Sequence, residues 1–335
     1  MQISENHPLK SLNTFGIEAY ARYYTELHDL QELQVLHANT STFREKHLIL
    51  GGGSNMLFSR DFDGTVIRMM SAGKEVTDRT NGHVYLRVQA GENWDDLVAY
   101  CVARGWGGLE NLSLIPGQVG SSPIQNIGAY GVELKNTLVS LEAFDKHTGQ
   151  MVTFSHDDCQ FGYRTSVFKG SGRHVITSVT FRLDEDPKIN TSYGSVNQEL
   201  AHMEVSSPGI ADVREAVCRI RRSKLPDPEE LGNAGSFFKN PVVAEQTCRE
   251  LQQKYPHLVA YHTDQGMKLA AGWLIDLAGW KGYRHGDAGV HDKQALVLVN
   301  HGNASGQEIL NLAERIRASV KQRFGVNLQP EVNIV

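Results

Sequence analysis

Apolar residues recur along the chain at two spacings, which predict a mixture of helices and strands. Helical spacing is found in Leu30, Leu33 and Leu36, in Trp94, Leu97, Val98 and Cys101 after Asn93, in Ile210, Val213, Val217 and Ile220 after Ser207-Pro208, and in Ile309, Leu312, Ile316 and Val320 after the capping box Ser305-x-x-Glu308. Strands are predicted at residues 48–50, 65–68, 83–88, 138–144, 151–154, 175–183, 295–299 and 330–335. Asn240-Pro241 is interpreted as a helix cap and first helical residue.

The apolar strand at 48–50 runs into Gly51-Gly52-Gly53-Ser54-Asn55, after which apolar residues return. Glycine has no Cβ and adopts positive φ freely, so the backbone of such a loop can approach a ligand closely. Successive N–H groups in such a turn can bind a phosphate or pyrophosphate. A tight turn without a ligand explains three glycines about as well. The loop lacks the Gly-Lys-Ser/Thr ending of a Walker loop and the helix that follows a dinucleotide fingerprint.

A second glycine-rich segment covers residues 114–131 and includes Pro123-Ile124-Gln125-Asn126-Ile127-Gly128-Ala129-Tyr130-Gly131. Its four glycines, two prolines and several amides and hydroxyls are interleaved with apolar residues. This mixture is typical of a loop that wraps around a bound cofactor, and a structural glycine corner is the alternative.

Composition narrows the class of protein. The 335 residues are enough for two or three domains. A net charge of −5 gives no overall basic field for nucleic acid, and no apolar run approaches the ~20 residues that span a bilayer. The polar N-terminus does not look like a signal peptide. The four cysteines form no C-x-x-C pair, which favours reduced thiols in the cytoplasm.

Six segments occur in an order that resembles one family. They are Gly51–Asn55, residues 123–131, Phe161-Gly162-Tyr163-Arg164, Lys224-Leu225-Pro226-Asp227-Pro228, Gly232-Asn233-Ala234-Gly235-Ser236-Phe237-Phe238-Lys239-Asn240-Pro241 and Pro330-Glu331-Val332. Together they span nearly the whole chain and resemble the UDP-N-acetylenolpyruvoylglucosamine reductases (MurB), type I, which act in peptidoglycan precursor synthesis.

The resemblance implies an α+β protein with the FAD-binding fold of the vanillyl-alcohol-oxidase (PCMH) type. Two α/β subdomains, at residues 1–67 and 68–205, would bind noncovalent FAD, and an α+β domain at residues 206–335 would cover the substrate. The implied reaction uses NADPH to reduce the enolpyruvyl ether of UDP-N-acetylglucosamine to UDP-N-acetylmuramate. We expect a cytoplasmic monomer that neither binds nucleic acid nor inserts into membranes. The expected cofactor-binding residues are Gly51, Gly52, Gly53, Ser54, Asn55, Gly120, Ser122, Gln125, Asn126 and Gly128.

Three residues match the catalytic positions of the family. Hydride delivery to the enolpyruvyl group leaves negative charge near its carboxylate, which the Arg164 guanidinium suits as a bidentate partner. Ser236 would protonate the α-carbon. Glu331, on a strand whose Val332 and Ile334 are expected to be buried on the other face, would serve the enolate or orient Arg164. From the residues alone, alternatives remain open. Arg164 would form a surface ion pair, Ser236 would cap a helix or turn, and Glu331 would be an exposed charge on an edge strand.

Tyr193, Lys224 and Asn240 match substrate-binding positions of the family. Without the resemblance, Tyr193 and Lys224 could equally be residues of a solvent-exposed face. His285, Asp287 and His291 make a poor metal site, and no metal is expected. Two other functions remain open from sequence: another flavoprotein of the same fold, such as an oxidase, and a nucleotide-sugar-binding module without flavin. The absence of an obvious covalent flavin tether and the Ser236, Arg164, Glu331 set favour the reductase.

Overall fold

The computed structural model describes residues 1–39 and 41–335 as two compact units between which the chain passes repeatedly. The first unit contains residues 1–7, 21–52 and 63–223, and the second contains residues 8–20, 53–62 and 224–335. The division into three consecutive domains stays a prediction. The helices are α1 Leu30–Asn39, α2 Trp94–Val102, α3 Gly194–His202, α4 Ile210–Lys224, α5 Glu245–Lys254, α6 Ala271–Leu277 and α7 Gly306–Phe324.

Each predicted strand overlaps a strand of the structure, and the structure has further strands that the sequence pattern does not predict. They are β1 Ile3–Pro8, β2 Tyr20–Leu27, β3 His47–Leu50, β4 Met56–Leu57, β5 Phe62–Met69, β6 Lys74–Thr80, β7 His83–Gln89, β8 Gly128–Ala129, β9 Val132–Glu133, β10 Leu138–Asp145, β11 Gln150–Ser155, β12 His174–Asp184, β13 Gly232–Ser236, β14 Val242–Val243, β15 Ala260–Thr263, β16 Gly266–Leu269, β17 Arg284–His285, β18 Ala288–Val290, β19 Val297–Asn300 and β20 Asn333–Ile334. Short 3₁₀ turns lie at Lys10–Leu12, Glu110–Leu112, Val119–Ser121, Leu134–Asn136 and Asp157–Cys159.

Two larger sheets build the first unit. One has the strand order β1-β2-β5-β3, with β3 and β5 parallel, and the other has the antiparallel order β11-β10-β12-β7-β6. Strand β7 alternates between buried and half-buried residues, as a strand with one core face does. The β3–β5 pairing delivers the chain to the first glycine loop at the carboxyl end of β3.

Helix α2 begins where its sequence cap predicts. The Asn93 side chain accepts a hydrogen bond from Asp96 N, which satisfies one of the N–H groups left open at a helix start. Its buried face packs with the second sheet, and the Trp94 indole donates to Leu112 O at 2.9 Å. Helix α2 therefore supports the segment that leads into the second glycine-rich region.

The second unit combines a sheet of order β13-β19-β18-β17 with a smaller sheet of order β14-β16-β15. Helix α7 has the predicted capping box between Ser305 and Glu308, and it ends at Gly325 with φ +71°. The four residues predicted for its core face, namely Ile309, Leu312, Ile316 and Val320, are buried. The last residues of the chain pair in parallel with β4, which follows the first glycine loop.

Two local predictions were wrong. Pro241 does not begin a helix, because the chain forms β14 at Val242–Val243 and the next helix starts at Glu245. Ile334 is 42% exposed although Val332 is buried, since β20 is an edge strand only two residues long. The four cysteines are free and buried, as predicted for reduced thiols. None of the helices described is both long and apolar enough to span a bilayer.

Candidate active site

The first glycine loop is close-packed on both sides of Gly52. In the first unit, a Cβ on Gly51 would lie 3.2 Å from Gln118 Oε1, and one on Gly52 would lie 3.0 Å from Gly117 Cα. In the second unit, Gly53 has φ +63°, and a Cβ there would lie 2.0 Å from Leu12 O. Glycine is therefore sterically required at Gly53, and side chains at Gly51 and Gly52 would crowd their neighbours.

The two glycine-rich regions meet within the first unit, because Gly51 and Gly52 lie against the Gly117–Ser121 stretch. Gly120 is held by a hydrogen bond from its N–H to Ala90 O at 2.9 Å, and a Cβ on Gly120 would lie 2.6 Å from Ala90 Cβ. Ser122 is buried and donates to Val119 O. The sequence predicted both segments as cofactor loops without indicating that they are neighbours.

We call the contact between Gly51, Gly52 and residues 117–121 the cradle. Gln118 is a residue of the cradle that was not singled out from the sequence. Its Nε2 donates to Met69 O at 3.0 Å and to Gly91 O at 3.1 Å. Its Oε1 is buried and has no hydrogen-bond partner among the described residues. No sequence motif marks it, because its importance depends on carbonyl groups that lie 49 and 27 positions away.

Asn126 and Arg164 each bond to a different part of the backbone around the second glycine-rich segment. Asn126 is fully buried, donates to Glu133 and Gly162 O, and accepts from Lys135 N, so its side chain fixes the turn. Arg164 has φ +54°, which is uncommon for a non-glycine residue and marks local strain. Its Nη2 donates to Gly128 O at 2.7 Å. The structure thus brings Arg164 into contact with Gly128, and Asn126 holds Gly162, two residues before Arg164.

Tyr193 stands at the start of α3 and is 49% exposed. Its ring meets that of Tyr130 edge to face, with centroids 5.5 Å apart. Burial raises the pKa of the Tyr130 phenol, and the nearby Arg221 guanidinium opposes that rise. The Asn111 side chain donates to both Tyr130 O and Asn190 O, which fixes the loop in front of Tyr193 to the second glycine segment.

Ser236 ends β13 at an irregularity of the strand. Gly235 before it has φ +67°, and its N–H donates to Asn233 Oδ1 at 2.9 Å. The pairing of β13 with β19 shifts register between Asn233 and Ser236, as at a β-bulge. Bulges redirect the side chain that follows them and are common beside active sites. The backbone that carries the Ser236 side chain is therefore shaped by this irregularity, and Ser236 lies at the end of a strand and not at a helix cap.

Glu331 is placed next to Ser236 by the backbone. Its N–H donates to Phe237 O at 2.8 Å, and Phe238 pairs with Pro330. On its other side, Glu331 O accepts from Asn55 Nδ2 at 3.3 Å, and Asn333 N donates to Asn55 O. In the second unit, Ser236, Glu331 and the Asn55 end of the first glycine loop are thus neighbours.

The exposure or hydrogen-bond partners of the remaining predicted residues are also defined. Lys224 is an exposed residue at the end of α4. Asn240 Oδ1 accepts from Ala271 N at 2.9 Å, so it caps α6 rather than a helix of its own segment. Asp287 accepts from Arg284 and from Asn303 N. Among the described residues no group of three His, Cys, Asp or Glu side chains is arranged to hold a metal ion.

Two family models match the chain. Residues 227–335 match the C-terminal domain of UDP-N-acetylenolpyruvoylglucosamine reductase, and residues 21–155 match an FAD binding domain. The first model covers β13, Ser236 and Glu331, and the second covers the first glycine loop and the second segment.

Relatives that match over their whole length are also described as UDP-N-acetylenolpyruvoylglucosamine reductases. The chain is 48% identical to UDP-N-acetylenolpyruvoylglucosamine reductase of Flavobacterium johnsoniae over 100% of both chains. It is 47% identical to that of Pseudomonas aeruginosa over 100% of this chain and 99% of the relative. The crystal structure of the Thermus caldophilus enzyme (MurB) superposes with a TM-score of 0.69 at 24% identity, covering 99% and 98% of the two chains. The predicted fold is confirmed.

The described residues fit an FAD molecule. A pyrophosphate is bound by backbone N–H groups that neighbouring residues of a loop present, and close packing against Gly117 and Gln118 fixes the backbone of Gly51 and Gly52 in such a loop.

Proposed function

Because the chain belongs to the family of UDP-N-acetylenolpyruvoylglucosamine reductases, which are FAD-dependent oxidoreductases of peptidoglycan precursor synthesis, we propose that Arg164, Ser236 and Glu331 are its catalytic residues. The proposed reaction reduces the enolpyruvyl ether of UDP-N-acetylglucosamine to UDP-N-acetylmuramate with NADPH as the electron source. The observation that carries this proposal is the backbone pairing of the Ser236 and Glu331 segments through Glu331 N and Phe237 O at 2.8 Å.

The glycine segments are proposed to hold the cofactor. Gly51, Gly52, Gly53, Ser54 and Asn55 would receive its pyrophosphate, and Gly120, Ser122, Gln125, Asn126 and Gly128 would line its flavin and ribityl parts. A bound FAD would supply the hydride chemistry that links NADPH oxidation to substrate reduction. The residues of the chain have to bind the substrate carboxylate, protonate the α-carbon of the enolpyruvyl group and keep other acids away from it.

Arg164 binds the carboxylate of the enolpyruvyl group. A guanidinium stays charged and matches a carboxylate with two parallel donors, so it stabilises the charge that develops as hydride arrives. Its bond to Gly128 O at 2.7 Å and the positive φ of its backbone support a fixed orientation. Such fixed donors contribute more in the transition state than mobile ones do.

Ser236 donates the proton that the α-carbon needs. A serine hydroxyl is a weak acid, but a carbanion next to a carboxylate is a strong base, so placement decides the rate. The left-handed Gly235 and the irregular register of β13 support a fixed hydroxyl direction. Glu331 carries its carboxyl on the neighbouring segment, where it donates a proton to the developing enolate acid or orients Arg164.

Tyr193, Lys224 and Asn240 are proposed to bind the rest of the substrate. Lys224 offers a point charge and Asn240 an amide donor to the diphosphate. The Asn240 carbonyl oxygen is engaged with Ala271 N, so its amide nitrogen has a fixed direction. We also propose that the protein is a monomer in the cytoplasm, and its four buried free cysteines support the reducing compartment.

The proposal is tested by separating the two half-reactions of Ser236→Ala. Anaerobic reduction of the flavin by NADPH should proceed near the wild-type rate, because that step needs no proton from Ser236. Reoxidation by the enolpyruvyl substrate should slow by more than the ~10²–10⁴-fold usual for loss of a general acid. Ser207→Ala, at an exposed serine, is the matched control. Equal slowing of both half-reactions would make Ser236 a structural residue.

A further inference from the structure

The segment that carries Tyr193 has neither helix nor strand of its own. Strand β12 ends at Asp184 and helix α3 begins at Gly194, so residues 185–193 form a loop, which we call the Tyr193 loop. Tyr193 is half-exposed at the end of this loop. Loop segments with few buried contacts open easily. A phenol that binds substrate from one position therefore needs a loop that other parts of the first unit hold in place.

Asn111 holds the Tyr193 loop from a buried position. Asn111 is 1% exposed, and its Nδ2 donates to Asn190 O at 3.0 Å and to Tyr130 O at 3.1 Å. Because both partners are carbonyl oxygens, which only accept, the amide nitrogen and not the amide oxygen must face them. Asn190 lies three residues before Tyr193, so this bond fixes the base of the loop.

The 3₁₀ turn that carries Asn111, Glu110–Leu112, is itself tied down on both sides. The buried Trp94 of α2 donates from its indole nitrogen to Leu112 O at 2.9 Å. The Glu110 carboxylate accepts from Gly108 N at 2.6 Å. Asn111 therefore offers its two N–H groups from a rigid part of the first unit.

The second acceptor, Tyr130, lies in a strained turn. Tyr130 and Gly131 join β8 to β9 with φ of +47° and +81°, as in a type I′ turn, where asparagine followed by glycine is favoured. Asn111 holds the carbonyl of Tyr130, and its ring packs with the apolar residues between α3 and α4 and meets the Tyr193 ring edge to face. Strain of this kind persists where the surroundings compensate for it, and it is common at functional sites.

The same hairpin connects the Tyr193 loop to the Arg164 side chain. A Cβ on Gly131 would lie 3.4 Å from the hydroxyl of Ser192, so the loop and the turn are in contact. At the start of β8, Gly128 O accepts from Arg164 Nη2 at 2.7 Å. By bonding to both the loop and the turn, Asn111 fixes the base of the Tyr193 loop relative to the hairpin that Arg164 contacts.

We propose that Asn111 is a positioning residue for substrate binding, which ties the Tyr193 loop to the Tyr130-Gly131 turn so that the Tyr193 phenol meets the substrate from one position. Asn111 is buried and acts through Tyr193. The inference rests on the proposed binding role of Tyr193. Without the tie, only a fraction of the molecules holds Tyr193 in the binding position, and the apparent affinity falls by that fraction.

A double-mutant cycle on the oxidised holoenzyme tests the proposal. The enolpyruvyl nucleotide sugar binds oxidised enzyme without turnover, because its reduction needs reduced flavin, and the change in flavin absorbance gives its Kd. Tyr193→Phe should raise this Kd about 3- to 10-fold, the range of one net hydrogen bond. Asn111→Leu, which has a similar size but no donor, should raise it by a similar factor. The double variant should bind about as weakly as the weaker single variant, because the Tyr193 contact is lost only once.

Two controls identify the Tyr193 loop as the route of the effect. Lys224→Ala removes a proposed substrate contact that is not on the loop, so its effect on Kd should multiply with that of Asn111→Leu. Asn197→Leu makes the same substitution at an exposed position of α3 and should bind as wild type. In steady state, Asn111→Leu should raise the KM for the nucleotide sugar and leave kcat near the wild-type value, which a general loss of active protein would not do.

Asn111→Asp is the second variant, because it keeps the shape of the side chain if Asn111→Leu does not fold. An ionised carboxylate has no donor for either carbonyl, whereas the protonated acid donates to one of them. Burial favours the protonated form. The substrate Kd of Asn111→Asp, divided by that of the wild type at the same pH, should therefore be raised at pH 9 and fall towards one as the pH is lowered to 5.5. A ratio that does not fall would overturn the role of the Asn111 donors.

The cycle separates this inference from the function on which it rests. If Tyr193→Phe weakens binding but its effect multiplies with that of Asn111→Leu, or if Asn111→Leu binds as wild type, the positioning role is overturned and the role of Tyr193 stands. An unchanged Kd in Tyr193→Phe would refute the binding role of Tyr193 and the inference with it. A wild-type holoenzyme that binds the nucleotide sugar without reducing it would refute the proposed reaction alone.

Discussion

At the scale of the residue, the catalytic role proposed for Glu331 depends on how its backbone is held. It is four positions from the chain end, where segments are usually dispensable unless they are tied down. Here the backbone N–H of Glu331 is bound to Phe237 O, its carbonyl is bound to Asn55, and Val332 beside it is buried. The carboxyl is thus carried by a backbone fixed on both sides, as a group that must act within about 1 Å requires.

Glu331→Gln should keep the flavin and its reduction by NADPH but lose most reoxidation by substrate. An amide still donates a hydrogen bond, but it provides neither the proton nor the charge of a carboxyl. Glu331→Asp retracts the carboxyl by one methylene and should cost roughly 10²-fold, the penalty typical of a 1 Å displacement. Stopped-flow reoxidation measures both, with Glu229→Gln at an exposed position as control. Normal reoxidation in Glu331→Gln would remove this residue from the catalytic set.

The Tyr193 hydroxyl and the Lys224 ammonium are expected to contribute binding rather than chemistry. Tyr193→Phe keeps the edge-to-face contact with Tyr130 and so removes the hydroxyl alone. We expect both Tyr193→Phe and Lys224→Ala to raise the KM for the nucleotide sugar more than they lower kcat, as loss of uniform binding does. Steady-state kinetics at saturating NADPH checks this. A fall in kcat at unchanged KM would contradict the binding role.

At the scale of elements, helices α2 and α4 hold the entry to the second glycine segment. Arg214 of α4 binds Asp95 of α2 through two hydrogen bonds of 2.6 and 2.9 Å. Asp95 also accepts from Leu114 N at 2.5 Å, and Arg221 donates to Leu114 O. Leu114 has φ +58°, so the two helices stabilise a backbone conformation that leucine disfavours. That residue begins the segment that is proposed to hold the cofactor.

The Asp95 interactions should make part of the stability depend on pH. Burial acts to raise the pKa of the Asp95 carboxyl, but its bonds with Arg214 and Leu114 outweigh burial and lower the net pKa. A lowered folded pKa gives stability that is fully present above the unfolded value of about 3.9 and is lost as pH falls through the folded pKa. Asp95→Asn should therefore lower the free energy of unfolding by about 1–3 kcal/mol at pH 7.

Urea unfolding of wild type and Asp95→Asn at pH 7 and pH 3 measures this difference. The gap between the two proteins should narrow at pH 3. Asp96→Asn, at the exposed neighbour in the same helical turn, is the control for adding an amide to α2. A gap that stays constant with pH would assign the effect of Asp95→Asn to packing instead of charge.

The helices and strands show which parts of the structure can be predicted from the sequence. The caps at Asn93 and Ser305 were predictable because each bonds a backbone group three residues away. Asn240 was misread because the helix that it caps starts 31 positions later, at Ala271. Gln118 was missed for the same reason, since its partners are distant carbonyls that its neighbours do not reveal. Ser236 and Glu331 were found through motif resemblance, while their pairing became visible only in the fold.

At the scale of the molecule, the candidate residues are shared between the two units. Arg164, Tyr193 and the Gln118 cradle belong to the first unit, whereas Ser236, Glu331, Lys224 and Asn240 belong to the second. The chain itself passes from one unit to the other inside the first glycine loop, between Gly52 and Gly53. A ligand that binds this loop should stabilise the folded state, because the conformation of the loop does not exist in the unfolded state.

The purified protein should be yellow, and acid precipitation should release its FAD into the supernatant, since the cofactor is expected to be noncovalent.

Returning FAD to the apoprotein at 100 times its Kd should add about 2.7 kcal/mol to the free energy of unfolding. For a chain of 335 residues this corresponds to a rise in Tm of about 4 °C, given the usual unfolding entropy per residue. Differential scanning fluorimetry across an FAD titration measures the rise. Riboflavin at the same concentration is the control, because it lacks the pyrophosphate that the Gly51–Gly52 backbone is proposed to bind, and it should raise Tm far less. An equal rise with riboflavin would show that the glycine loop does not bind the pyrophosphate, and flavin that stays with the acid-precipitated protein would show a covalent link.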